Sequence, residues 1–99
     1  MKVLLICAGG ASTSILMRKM EKYAAEKDIP FEVVAIGAPS VYEHYKNFDL
    51  ILLGPQISYK KDDIVSLTGK PLAVIAPMDY ALGNAENIFR QIESIYPPQ

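Results

Sequence analysis

Val3-Leu4-Leu5-Ile6-Cys7-Ala8-Gly9-Gly10-Ala11-Ser12-Thr13-Ser14 sets the architecture of the chain. An apolar run ends on the only cysteine, crosses two adjacent glycines and enters a Ser/Thr cluster that opens an amphipathic segment. This succession predicts a strand, a tight loop and a helix N-terminus. The apolar run shows no alternation with polar residues, the pattern of a central strand in a parallel sheet covered on both faces. A loop of this kind aims backbone N–H groups and the positive end of a helix dipole at one spot, which suits an anion. The same surroundings lower a thiol pKa and make it nucleophilic. Cys7 is therefore the first candidate for chemistry, as an acceptor of a phosphoryl group.

The period changes after the loop. From Ser12 to Lys27, Ile15, Leu16, Met20, Tyr23 and Ala24 fall on one helical face, and Arg18, Lys19, Lys22 and Glu26 on the other. Any of Ser12, Thr13 or Ser14 can cap this helix. Asp28-Ile29-Pro30 stops it, because proline disfavours helix in the residue before it. Residues Phe31 to Ile36 form a second strand, nearer the edge. Gly37-Ala38-Pro39-Ser40 is a turn, and Val41 to Tyr45 make one or two helical turns. Phe48 to Leu53 form a third strand, apolar on both faces, ending on Gly54-Pro55-Gln56. A short helix is expected over Ser58 to Leu67, with Ile57, Ile64, Val65 and Leu67 inward and Gly69-Lys70-Pro71 closing it. Leu72 to Ala76 form the fourth strand, and Pro77 to Gly83 read as a loop. Asn84 caps a last helix, Ala85 to Tyr96, with Ile88, Phe89, Ile92 and Ile95 inward, and Pro97-Pro98 ends the fold.

Strands alternating with helices imply an α/β fold: a four-stranded parallel open sheet with helices on both faces and right-handed crossovers. The expected order is 2-1-3-4, with strands 1 and 3 central. With no linker and no repeat, the 99 residues read as one domain over 1–99.

Bulk composition narrows the function. The chain is 51% hydrophobic with a net charge of −1, so no electrostatic case exists for nucleic acid or acidic lipid as a partner. One cysteine and one histidine exclude an internal disulfide, CxxC redox chemistry and a Cys/His zinc cluster. Lys2 and the run after it resemble a signal peptide, but the run is shorter than the usual ~7–15 apolar residues and Gly9-Gly10 cut it off. No stretch approaches the ~20 apolar residues of a membrane span. The expected location is the cytoplasm, without membrane insertion.

In an open sheet of this kind the ligand sits beyond the carboxyl ends of the strands, at the topological switch point. Strand 1 brings Cys7 there, strand 2 Gly37-Ala38, strand 3 Gly54-Pro55-Gln56, and strand 4 Pro77-Met78-Asp79-Tyr80. A Walker loop is excluded, because no Lys-Ser or Lys-Thr pair follows the glycines in range. The GxGxxG fingerprint is missing as well. An aspartate phospho-receiver needs an acid where Leu53-Gly54 stand. A cysteine phosphatase clamps phosphate with an arginine at the place Thr13 occupies. The loop is phosphatase-like in layout and lacks that clamp, which suits a carrier that hands its phosphoryl group on.

The segments Cys7 to Ser14, Leu52-Leu53-Gly54-Pro55-Gln56-Ile57, and Met78-Asp79-Tyr80 with Gly83 resemble the IIB component of the bacterial phosphoenolpyruvate-dependent sugar phosphotransferase system, lactose/cellobiose/chitobiose type. The resemblance covers nearly the whole chain. It implies that Cys7 becomes phosphocysteine, taking phosphate from a histidine of a IIA protein and passing it to a sugar at the membrane protein IIC. It implies a cytoplasmic protein held at the inner face of the membrane through IIC, a phosphate cradle of Ala8, Gly9, Gly10, Ala11, Ser12, Thr13 and Ser14, and neither cofactor nor metal. Ala8-Gly9-Gly10 stand where relatives often have one glycine and a bulkier residue.

Gln56, Asp79 and Tyr80 are candidates to line the site. Gln56 can steady the loop or the phosphoryl oxygens, and Tyr80 can shield the thiol from water. Asp79 reads better as a cap or loop-former, since a carboxylate repels a nearby phosphocysteine. His44 is expected at the surface, Met17 and Met20 in helix packing, and Met78 exposed beside the site. A small cysteine phosphatase and a phosphate-sensing domain without chemistry stay open as alternatives.

Overall fold

The computed structural model describes residues 1–7 and 13–96. Four parallel strands form one sheet: β1 (Lys2–Cys7), β2 (Glu32–Gly37), β3 (Leu50–Leu53) and β4 (Leu72–Val74), in the order β2-β1-β3-β4. The helices are α1 (Thr13–Glu26), α2 (Val41–His44), α3 (Lys61–Thr68), α4 (Pro77–Leu82) and α5 (Ala85–Ile95). Short 3-10 turns flank α2 and lead into α3 over Pro55–Lys60. Topology and strand order are those the sequence predicts. No helix among the described residues is long and apolar enough to cross a membrane.

The central strand explains the absence of alternation in its sequence. Val3 to Cys7 are all buried, and successive side chains go to opposite faces. Val3 and Leu5 join Leu50, Leu52, Ala73 and Ile75 beneath Leu16, Met20 and Ala24 of α1 and Ile88, Phe89 and Ile92 of α5. Leu4 and Ile6 join Ile51, Leu53 and Leu72 against Val41, Ile57 and Ile64 on the other face. Each fully buried aliphatic side chain contributes about 1.5–3 kcal/mol. Tyr23 stacks on Phe89 at 5.0 Å and Phe31 meets the same ring at 4.9 Å, closing one end of the α1–α5 layer.

Several local expectations change. β3 begins at Leu50 rather than Phe48, because Asp49 leaves the ladder: its carboxylate accepts from the Lys2 N–H at 2.7 Å and its own N–H donates to the Lys2 carbonyl at 2.8 Å. The helix expected from Ser58 is a 3-10 segment broken at Ile57 (φ −120°, ψ 25°), followed by α3. Ile57 and Ile64 turn inward while Val65 and Leu67 stay exposed, because α3 is only eight residues long and seats the single side chain of Ile64 in the core. Asp28 adopts the left-handed region (φ 55°), and the Ile29 N–H donates to the Ala24 carbonyl, so α1 stops before Pro30 acts. β4 ends at Val74 instead of Ala76, although the Ile75 N–H still donates to the Leu53 carbonyl. Pro77 to Leu82 form a helix, not a loop, with proline in its first turn and Gly83 in the left-handed region closing it (φ 63°). Pro97-Pro98 lie outside the described residues.

Candidate functional site

The strands end level with one another. Cys7 pairs in register with Gly37, Ile6 with Leu53, and Leu53 with Val74. The Gly54 N–H extends the β3 ladder by one bond, donating to the Ile6 carbonyl at 2.9 Å. The carboxyl end of the sheet is thus a shelf carrying Cys7 in its middle. Neighbours approach it from β2, from β3 and, through α4, from β4.

Cys7 is 6% exposed. Its thiol donates weakly to the Ile36 carbonyl at 3.7 Å, which turns Sγ toward β2. Ala8, Gly9, Gly10, Ala11 and Ser12 of the expected cradle lie outside the described residues, as does the Thr13 side chain. Ser14 stands exposed in the first turn of α1. That helix follows β1 in the chain, and its first turn holds no acidic residue to oppose an anion.

Gly54 organises the β3 side. A Cβ there would come 3.2 Å from Gln56 Oε1, 3.4 Å from the Ile6 carbonyl oxygen and 3.6 Å from Tyr80 Cε2. The bare backbone therefore leaves room for Gln56 Oε1, while the Tyr80 ring lies at ordinary contact distance from the same position. Gln56 is exposed and Tyr80 half-buried, so both present one side to solvent. Asp79 points elsewhere: its carboxylate accepts from Asn87 Nδ2 at 3.0 Å, and its carbonyl accepts from the Asn84 N–H. It links α4 to α5, the loop-forming role its position suggested.

Met78 is 71% exposed on α4, as expected. Ile15, assigned to the buried face of α1, is 60% exposed. It lies in the first turn of α1, where short α4 is its neighbour, and lines a cleft with Leu16, Lys19, Tyr80, Ala81, Leu82 and Gly83. His44 is exposed at the end of α2. Met20 is buried in the α1 layer and Met17 packs against it. Lys19 and Gly83 belong to the surroundings of the site; the sequence marked Gly83 as part of the third matching segment and placed Lys19 only on the polar face of α1. The pairing of Pro77 with Gly83, start and stop signals six residues apart, was the available sign of α4.

A parallel open sheet with a nearly buried thiol at the carboxyl end of an inner strand defines an open α/β domain with its cysteine where such folds bind ligands. The family model for the "PTS system, Lactose/Cellobiose specific IIB subunit" matches residues 2–91. The chain belongs to that family of phosphotransferase components. It is 31% identical over 97 residues to the oligo-beta-mannoside-specific EIIB component of Bacillus subtilis (strain 168), covering 95% of this chain and 94% of that one. A lactose-specific EIICB component of Lactococcus lactis subsp. lactis is 37% identical over 68 residues, which are 69% of this chain and 12% of that protein. The solution structure of a cellobiose-specific IIB component from Borrelia burgdorferi superposes with a TM-score of 0.77 at 33% identity, over 96% of this chain and 91% of that one.

Proposed function

We propose that residues 1–99 act as one phosphocarrier domain in which Cys7 accepts a phosphoryl group from a phosphohistidine of a IIA protein and passes it to a sugar entering through IIC. The observation that carries this reading is the place of Cys7: the sole cysteine of the sequence ends β1, an inner strand of the sheet, at the carboxyl edge and is nearly buried there. In the first step the thiolate attacks phosphorus in line. The S–P bond forms as the N–P bond of the phosphohistidine breaks, and the imidazole nitrogen keeps the electron pair. In the second step a sugar hydroxyl attacks the same phosphorus. The O–P bond forms, the S–P bond breaks, the hydroxyl proton passes to solvent, and the thiolate is regenerated. Ala8 to Ser14 are assigned to hold the equatorial oxygens through N–H and hydroxyl donors. Gln56 and Tyr80 are assigned to line the site, with Asp79 behind them as the link to α5.

The relative that joins IIC and IIB in its name supports IIC as the partner, and with it a position at the inner membrane face. Relatives named for oligo-beta-mannosides and cellobiose support a β-linked disaccharide such as cellobiose, chitobiose or lactose as the acceptor. The test is intact-protein mass after incubation with phosphoenolpyruvate, the general phosphotransferase proteins and a IIA protein. One added phosphoryl group on wild type and none on Cys7→Ala is expected. Normal uptake by Cys7→Ala overturns the reading, and sustained hydrolysis of an aryl phosphate by this chain alone points to a phosphatase.

A further inference from the structure

We propose that Lys19 is a positioning residue for the Cys7 site, holding α4, and with it Tyr80, over the carboxyl end of the sheet; this rests on the carrier reading above. No residue of the six-residue helix α4 is fully buried, and Tyr80, half-buried against the α1–α5 layer, is its one side chain packed on the core. Its other anchors are polar. On one side Asp79 is tied to the Asn84 N–H and to Asn87 Nδ2 of α5. On the other side Lys19, in the second turn of α1, donates from Nζ to the Leu82 carbonyl at 3.0 Å. That carbonyl belongs to the last turn of α4, where a helix leaves acceptors without internal partners.

Gly83 makes the contact possible. It takes the left-handed conformation that ends α4 (φ 63°), and a Cβ there would lie 2.6 Å from Lys19 Cδ. The lysine stem therefore crosses bare backbone on its way to the carbonyl. The same cleft is lined by Ile15, Tyr80 and Leu82, and the Tyr80 ring reaches from it to the open face of Gly54. Lys19 and Leu82 are 63 residues apart in the chain, so this single bond ties the helix that follows the Cys7 loop to the helix that carries Tyr80. When the bond is lost, α4 pivots on its α5 anchor and Tyr80 leaves its place.

Lys19 is exposed, so its substitution leaves the core intact. The test compares wild type with Lys19→Met, which keeps most of the stem and removes the donor, and with Lys19→Arg, which restores a donor. One readout is hydrogen exchange at the amides of Tyr80, Gly83 and Asn84, which are bonded within α4 and its cap. The other is the rate of phosphoryl uptake by Cys7 over a range of phosphorylated IIA concentrations. Lys19→Met is expected to exchange about tenfold faster in α4 with α5 unchanged, and to accept phosphate about tenfold more slowly at saturating IIA with the same half-saturating concentration. Lys19→Arg is expected to recover both. Wild-type exchange in Lys19→Met overturns the proposal, as does fast exchange combined with wild-type transfer. If wild type itself takes up no phosphoryl group, the carrier reading is what falls, and exchange alone then decides whether Lys19 holds α4.

Discussion

Two glycines in this chain look alike in sequence and differ in what they do. Gly54 has ordinary extended backbone (φ −63°, ψ 147°), so alanine suits its conformation and meets an obstacle only in space. Of the atoms a methyl would meet, the Ile6 carbonyl oxygen at 3.4 Å is sheet backbone and yields least. Gly54→Ala is expected to cost no more than about 1 kcal/mol, read as a slightly lower midpoint in urea, and to slow the proposed phosphoryl uptake by displacing Gln56, whose Oε1 is the one side-chain atom that must give way. Gly69 is the converse: it sits in the left-handed region (φ 66°) with nothing within 4 Å of an added Cβ. Gly69→Ala carries only the strain of that conformation, about 1–2 kcal/mol, and leaves phosphoryl uptake unchanged. At this scale the sequence placed Cys7 at the end of β1, where it lies, because a single thiol closing an apolar run is a local signal. It did not reveal Lys19, whose partner lies on an element the sequence did not resolve as a helix.

At the scale of elements, legibility followed the amount of buried surface. Helix α5 carries Ile88, Phe89 and Ile92 at helical spacing, and Asn84 stands where a cap belongs. The Asn84 side chain accepts from the Asn87 N–H at 3.3 Å. Asn84→Ala is expected to cost about 1 kcal/mol in denaturant while Cys7 still accepts phosphate. Helix α4 packs only Tyr80 against the core and so leaves no apolar period; Pro77 and Gly83 then read as loop punctuation. The α3 region failed for another reason. A 3-10 approach with a break at Ile57 cannot be distinguished by composition from a continuous helix.

For the molecule as a whole, the sheet order followed from two properties visible in the chain: the strands alternate with helices, and β1 and β3 are apolar on both faces. Both strands lie inside the sheet with all of Leu50 to Leu53 buried. Stability should divide along the same line. Leu5→Ala removes a side chain with no exposed surface from the layer shared by α1 and α5. It is expected to cost about 2–5 kcal/mol, a large part of the ~5–15 kcal/mol that holds a domain of this size together. Val34→Ala, at a side chain 46% exposed on edge strand β2, is expected to change stability by less than about 1 kcal/mol. Thermal or urea melts of the pair read the difference directly.

Both outer strands are bracketed by proline. β2 lies between Pro30 and Pro39 with Glu32 exposed, and three-residue β4 lies between Pro71 and Pro77. Proline supplies no N–H to a ladder, and short or charged borders discourage a foreign strand from adding to the sheet. The sheet is thereby protected from edge-to-edge aggregation. Recognition by strand addition is disfavoured on both flanks, which leaves side chains and loops as the means by which a partner meets this domain.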